Sequence, residues 1–289
     1  MSYKPEKDDI TGVETTGHEW DGIKELNNPL PRWWLWCFYG TIVFAIAYCI
    51  AYPAWPLINS STKGLLGWSS RGDVVKAMAA VDTERKELAT QLTNTALDAV
   101  PAKGDLLQFA VAGGASAFKV YCSQCHGSGA AGGGIYPNLV DDDWIWGGSL
   151  NDIYTTLNHG IRYETDDDTR VSQMPAFGDG MLERSEIRDV AFHVLSLSGK
   201  STNPEAAQRG APLYAENCVS CHGERGQGNR ELGAPALNDA IWLYGSTPNA
   251  LIAQISNPKQ GVMPGWKDRL SDTTIRQLSL YVHSLGGGE

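Results

Sequence analysis

The chain changes its pattern of apolar and polar positions three times, and each change marks an element. Residues 1–31 are mostly polar, running through Glu6-Lys7-Asp8-Asp9 and Thr16-Gly17-His18-Glu19-Trp20-Asp21, and hold too few apolar positions to build a core. They read as an N-terminal tail that ends at Pro29 and Pro31, where proline closes one element before the next begins. From Trp33 to Thr62 there is no charged residue. The densest part, Trp33 to Trp55, would span about 34 Å as a helix, enough for a hydrocarbon core of ~30 Å. Trp33, Trp34 and Trp36 at one end, with Tyr52 and Trp55 at the other, form the aromatic belts of a membrane span, placed at 32–58. A cleaved signal peptide would be shorter, would start earlier and would carry a small-residue cleavage site. Between 59 and 105, Val74, Met78, Val81, Leu88 and Leu92 keep a helical spacing, which predicts a partly helical linker.

Beyond 105 the apolar pattern repeats. Helices are predicted at 115–121, 151–157 and 185–197, and again at 206–217, 248–255 and 272–285. Ile187-Arg188 and Ile275-Arg276 hold matching places in the last helix of each set. The expected class is therefore all-α: one N-terminal transmembrane helix, then two helical domains at 106–200 and 201–289.

Motifs give the repeats their chemistry. Cys122-Ser123-Gln124-Cys125-His126 and Cys218-Val219-Ser220-Cys221-His222 lie 96 residues apart, each followed by glycine. C-x-x-C-H is the attachment signature of c-type haem. Cys122, Cys125, Cys218 and Cys221 can each form a thioether with a haem vinyl group, and His126 and His222 can each reach an iron from one face. Two covalently bound haem c groups are the expected cofactors. A four-cysteine zinc site would leave both histidines unexplained. The two domains are thus read as cytochrome c-like.

An iron with one histidine needs a sixth ligand. Met174-Pro175 follows Cys122 by 52 residues, and Met263-Pro264 follows Cys218 by 45, in the same order of motifs. A thioether is a soft neutral donor that favours Fe(II), and the proline stiffens the backbone that presents it. The expectation is that Met174 serves the haem on Cys122/Cys125 and Met263 that on Cys218/Cys221. Met181 competes without a proline and without a counterpart, and His159 is an alternative to Met174. His193 and His283 read as packing or surface residues, and His18 as a surface or partner contact. Arg162 and Arg170 are candidates to pair with haem propionates or to lie at the surface. With both axial positions filled, electron transfer is favoured over bond-making, and a dihaem peroxidase, which needs an open sixth site, is disfavoured.

Composition adds two limits. A net charge of −10 argues against a nucleic-acid partner and suits a basic one or simple solubility. Cys37 and Cys49 share the apolar run at a helical separation of about 18 Å, too far for a bridge. Flanking charge barely orients the span. Covalent haem attachment takes place outside the bacterial cytoplasm, which places the haem domains in the periplasm and the tail in the cytoplasm.

The stretch Thr16-Gly17-His18-Glu19-Trp20-Asp21-Gly22-Ile23-Lys24-Glu25-Leu26-Asn27-Asn28-Pro29-Leu30-Pro31-Arg32-Trp33-Trp34 resembles the start of the dihaem subunit family, CcoP or FixP, of cbb3-type cytochrome c oxidases. The order of anchor, linker and two Met-Pro modules matches as well, in the single-span form. The resemblance implies a non-catalytic subunit in the bacterial inner membrane. It would take electrons from a periplasmic cytochrome c donor. Its partners would be a monohaem cytochrome c subunit and a catalytic haem–copper subunit that reduces O₂ and pumps protons. The runner-up is a free-standing, membrane-anchored dihaem cytochrome serving other reductases.

Overall fold

The computed structural model describes residues 5–288. It divides into two units, one ending at Glu84 and one beginning at Arg85.

The first unit opens with an antiparallel hairpin where only a tail was expected. Strands β1 (Thr15–Trp20) and β2 (Ile23–Leu26) pair Glu19 with Lys24 and Trp20 with Ile23. The turn is Asp21-Gly22, with φ of 51° and 83°, the positive pair that a two-residue hairpin turn demands. The strands are mostly exposed, so turn geometry and backbone bonds hold the hairpin rather than a core. Asp-Gly was its signal in the sequence.

Helix α1 (Arg32–Ala51) begins after Pro31 and ends at Tyr52, whose extended backbone suits the residue before Pro53. Its 20 residues cover about 30 Å, and none is buried. A helix apolar on every side and covered by nothing is built for lipid, and this one is consistent with a membrane anchor. It stops short of the expected 58 because the chain turns back beneath it. Leu65 and Leu66 donate their N–H groups to the carbonyls of Ile50 and Ala51 at 2.9 and 3.1 Å, satisfying two otherwise open acceptors. Gly64 makes this return possible: a Cβ there would lie 2.4 Å from the Ala51 carbonyl oxygen. Helix α2 (Ser70–Asn94) then runs on into the second unit. Val74, Met78 and Val81 on it are exposed, whereas Leu92 is buried.

The second unit contains the repeats. Repeat one supplies α3 (Gly104–Tyr121), the short turn α4 (Ser123–His126), α5 (Leu150–His159) and α6 (Arg184–Leu197). Repeat two supplies α7 (Pro204–Asn217), α8 (Val219–His222), α9 (Pro248–Ser256) and α10 (Asp272–His283). The bundles do not follow the repeats. Helices α3 and α5 pack on α10, while α7 and α9 have α6 as their shared neighbour. Each bundle takes its last helix from the other repeat, so the packing crosses the 200/201 boundary.

Chain length explains the exchange. Only residues 198–203 join α6 to α7, and so short a link lays consecutive helices side by side. Residues 160–183 between α5 and α6 are long enough to carry the chain across. The crossing strands bond to each other. Ile161 and Met263 exchange N–H···O bonds of 2.9 and 3.0 Å. The Arg162 side chain donates to the carbonyls of Gly261 (2.7 Å) and Ser172 (3.1 Å). The helix contacts are alike in both bundles. Gly114, eight residues before Cys122, lets α3 approach α10: a Cβ there would sit 2.1 Å from the Gln277 carbonyl oxygen. Gly210, eight residues before Cys218, does the same against Asp189 of α6, also at 2.1 Å. Ile187 and Ile275, the matched pair, are both buried.

Candidate haem sites

Both cysteine motifs are built the same way. The helix before each ends at the first cysteine, and one further turn carries the second cysteine and the histidine. The following glycine, Gly127 or Gly223, takes φ near +80°, a backbone state that other residues rarely adopt, and releases the chain into a loop. Each loop returns a proline carbonyl to the histidine: Pro137 O lies 3.1 Å from His126 Nδ1, and Pro235 O lies 3.0 Å from His222 Nδ1. A carbonyl only accepts, so Nδ1 carries the proton and Nε2 keeps its lone pair for a metal. Burial holds both imidazoles below their ordinary pKa, against the opposing effect of the carbonyl bond. They are therefore neutral, as a ligand must be. Pro137-Asn138-Leu139 and Pro235-Ala236-Leu237 repeat a Pro-x-Leu in the loop after each histidine, but nothing in that pattern states the role of the carbonyl.

Cys122 is buried and Cys125 exposed; Cys218 is half-buried and Cys221 exposed. Burial, and then the neighbouring cysteine, pushes the inner thiol of each pair up to about 11. Each motif so offers one sulfur inside the core and one at the surface.

The methionines pack differently from the pairing expected from sequence. Met174 packs on the core of Ile187, Val190, Tyr214 and Ile255, which also receives Cys218. Met263 packs on the core of Phe118, Cys122, Ile153 and Ile275. Each methionine thus joins the cysteine motif of the other repeat. Matched anchors hold both loops. The Phe177 N–H, three residues after Met174, donates to Ile255 O at 3.2 Å. The Trp266 N–H, three residues after Met263, donates to Leu157 O at 2.9 Å. The cause is the helix exchange: α6 carries the Met174 loop into bundle two, and α10 carries the Met263 loop into bundle one.

The other candidates are engaged elsewhere. Met181 is exposed. His159 Nδ1 lies 3.2 Å from Asp166, whose other oxygen takes the Lys267 ammonium at 3.0 Å. That ammonium already supplies the cation of the His159, Asp166, Asp168 cluster. His193 packs on Tyr214 with ring centres 5.1 Å apart. His18 lies on β1, and His283 ends α10. Arg170 donates to Trp146 O and to Asp152, so protein groups occupy both arginines first considered for propionates. Cys37 and Cys49 are free thiols on α1. A core-packed thiol and a surface thiol, an imidazole with a free Nε2 and a thioether packed on the same core make a donor set that fits covalent haem at each motif.

Two family models match the chain. One, the N-terminal domain of cytochrome oxidase-cbb3, FixP, covers residues 12–59. The other, cytochrome C oxidase, cbb3-type, subunit III, matches twice, at 109–194 and 205–282. The chain is 54% identical over 282 residues to the Cbb3-type cytochrome c oxidase subunit FixP of Rhizobium meliloti (strain 1021), covering 98% of this chain and 97% of that one. It is 51% identical over 290 residues to subunit CcoP of Cereibacter sphaeroides, with both chains fully covered. Against subunit CcoP of Azospirillum brasilense it is 49% identical over 292 residues, covering 98% and 99%. Hairpin, anchor and both cysteine-bearing repeats all fall within these matches, and the chain belongs to the FixP/CcoP family of cbb3-type cytochrome c oxidase subunits.

Proposed function

We propose that this chain carries two covalent haem c groups and relays electrons, without catalysis of its own, from a periplasmic cytochrome c to the other subunits of its oxidase. The partners in this reading are the monohaem cytochrome c subunit and the catalytic haem–copper subunit. Bound haem supplies a one-electron Fe(III)/Fe(II) couple. The chain does the rest. Cys122 and Cys125 would hold one group, with His126 and Met263 as its iron donors; Cys218 and Cys221 would hold the other, with His222 and Met174. With both donors of each set bound, an iron would have no place for peroxide or O₂, so the peroxidase reading is not favoured. Full-length similarity to oxidase subunits does not favour the free-standing cytochrome.

The observation that carries this reading is the paired donor set, completed in each core by a methionine from the other repeat. Such interlocking ties the two sites to one packed body, which suits a relay because its centres must keep a constant separation. Helix α1 anchors the chain, with the hairpin in the cytoplasm and both sites in the periplasm.

Denatured protein should retain two haems per chain in a pyridine haemochrome assay; a single haem would refute the dihaem reading. The purified protein should bring b-type haem and copper with it. Alkaline phosphatase fused after Glu289 should be active, and an inactive but stable fusion would reverse the topology.

A further inference from the structure

The two bundles differ at one matched position. Trp144 stands seven residues after Pro137, and Trp242 seven after Pro235. Each ring packs against the core of its cysteine motif, Trp144 on that of Cys122 and Trp242 on that of Cys218. The Trp144 indole N–H donates to the Gly287 carbonyl. The Trp242 indole N–H is buried and has no partner, the one such side-chain nitrogen or oxygen among the described residues. The helix exchange accounts for the difference. Gly287 follows α10, which lies in bundle one, so the chain end reaches Trp144 and leaves Trp242 without its equivalent.

A buried N–H is rarely left unpaired, because dehydration removes its water and returns nothing. We propose that Trp242 Nε1 donates to a propionate carboxylate of the haem held by Cys218 and Cys221, an assignment that rests on the dihaem reading above. A carboxylate is an acceptor only, and a haem carries two. A cation is also close: Lys200 Nζ lies 5.8 Å from the centre of the Trp242 ring. Trp242 is then a positioning residue that draws negative charge away from the second iron and favours Fe(II) there.

The test is a redox titration of the full-length protein in its purified complex, with both c-type centres resolved. Covalent haem content is measured alongside, so that loss of the dihaem reading is distinguished from loss of this one. Trp242→Phe keeps the ring and removes the donor. It should shift the Fe(III)/Fe(II) equilibrium of the second haem threefold to tenfold toward Fe(III), tenfold being ~59 mV for one electron. The first haem should not move. Trp242→His, which retains a ring N–H, should recover more than half of the shift, and Trp144→Phe should leave the second haem unmoved. Equal shifts in Trp242→Phe and Trp242→His, or no shift in either with both haems present, would overturn the assignment. If Trp242→Phe fails to hold its haem, Trp242→His decides: an equilibrium within twofold of the parent supports the bond, and a larger change rejects it.

Discussion

Replacing Met174 by histidine separates the crossed arrangement from ligation within each repeat. Crossed packing places Met174 beside Cys218 and Met263 beside Cys122, so Met174→His should alter only the haem on Cys218/Cys221. The perturbation is local. Phe177 is buried and its N–H bond to Ile255 fastens the loop three residues on, so α6 should keep its place. Imidazole is a stronger σ-donor than a thioether and favours Fe(III). Axial ligand identity spans ~0.8 V across haem proteins. A quarter of that range, about 0.2 V, corresponds to roughly 4–5 kcal/mol for one electron. The clean assay uses a background in which Cys122→Ala and Cys125→Ala leave only the second motif. There, Met174→His should abolish the weak near-infrared band of Fe(III)–methionine and lower the midpoint, while Met263→His should leave both unchanged. If Met263→His removed the band in that background, crossed ligation would be wrong and ligation within the repeat restored.

Two further outcomes follow from contacts already described. Gly114→Ala would force its new Cβ against the Gln277 backbone, an overpacking cost of ~1–3 kcal/mol. Thermal melting should show a fall of roughly 2–4 °C per kcal/mol, with loss of the methionine band at the first motif, although Met263 lies 149 residues away in sequence; an unchanged melt would contradict the close approach of α3 and α10. Asp143 lines a cavity with Asp239 and Arg230, and burial, then Asp239 and Asp141, raises its carboxyl to about 6 against the pull of Arg230. A carboxyl raised on folding contributes stability that is complete below the unfolded value, near 4, and is lost as pH climbs through 6. Asp143→Asn should therefore stabilise the protein by ~1 kcal/mol at pH 7, after discounting for solvent screening, and by nothing well below the unfolded value; equal melts at pH 7 would refute this.

How much of this was legible beforehand depends on the range of the interaction concerned. The membrane helix was legible because an uncharged run long enough for a bilayer is a local property, although its end at Ala51 depends on Leu65 and Leu66 returning to cap it. The helices of both repeats were legible for the same reason, and the spacing within Cys122 to His126 and within Cys218 to His222 was enough to mark both motifs as candidate haem sites. The hairpin carried a local signal too, Asp21-Gly22, but its strands have no apolar face and so no periodicity to follow.

Sequence by itself determined which groups could meet a haem; it did not determine which groups meet each other. Order along the chain assigns Met174 to the first motif, since nothing in a repeat says that its last helix leaves. Tertiary structure packs Met174 beside Cys218 instead, through two connections of unequal length: six residues tie α6 to α7, while twenty-four free it from α5. Helices joined by a short link pack together whatever repeat they come from. The partner of each histidine Nδ1 and the unpaired indole of Trp242 depend likewise on chain segments brought in from elsewhere. The burial that makes such contacts necessary is a property of the assembled core, not of any stretch within it.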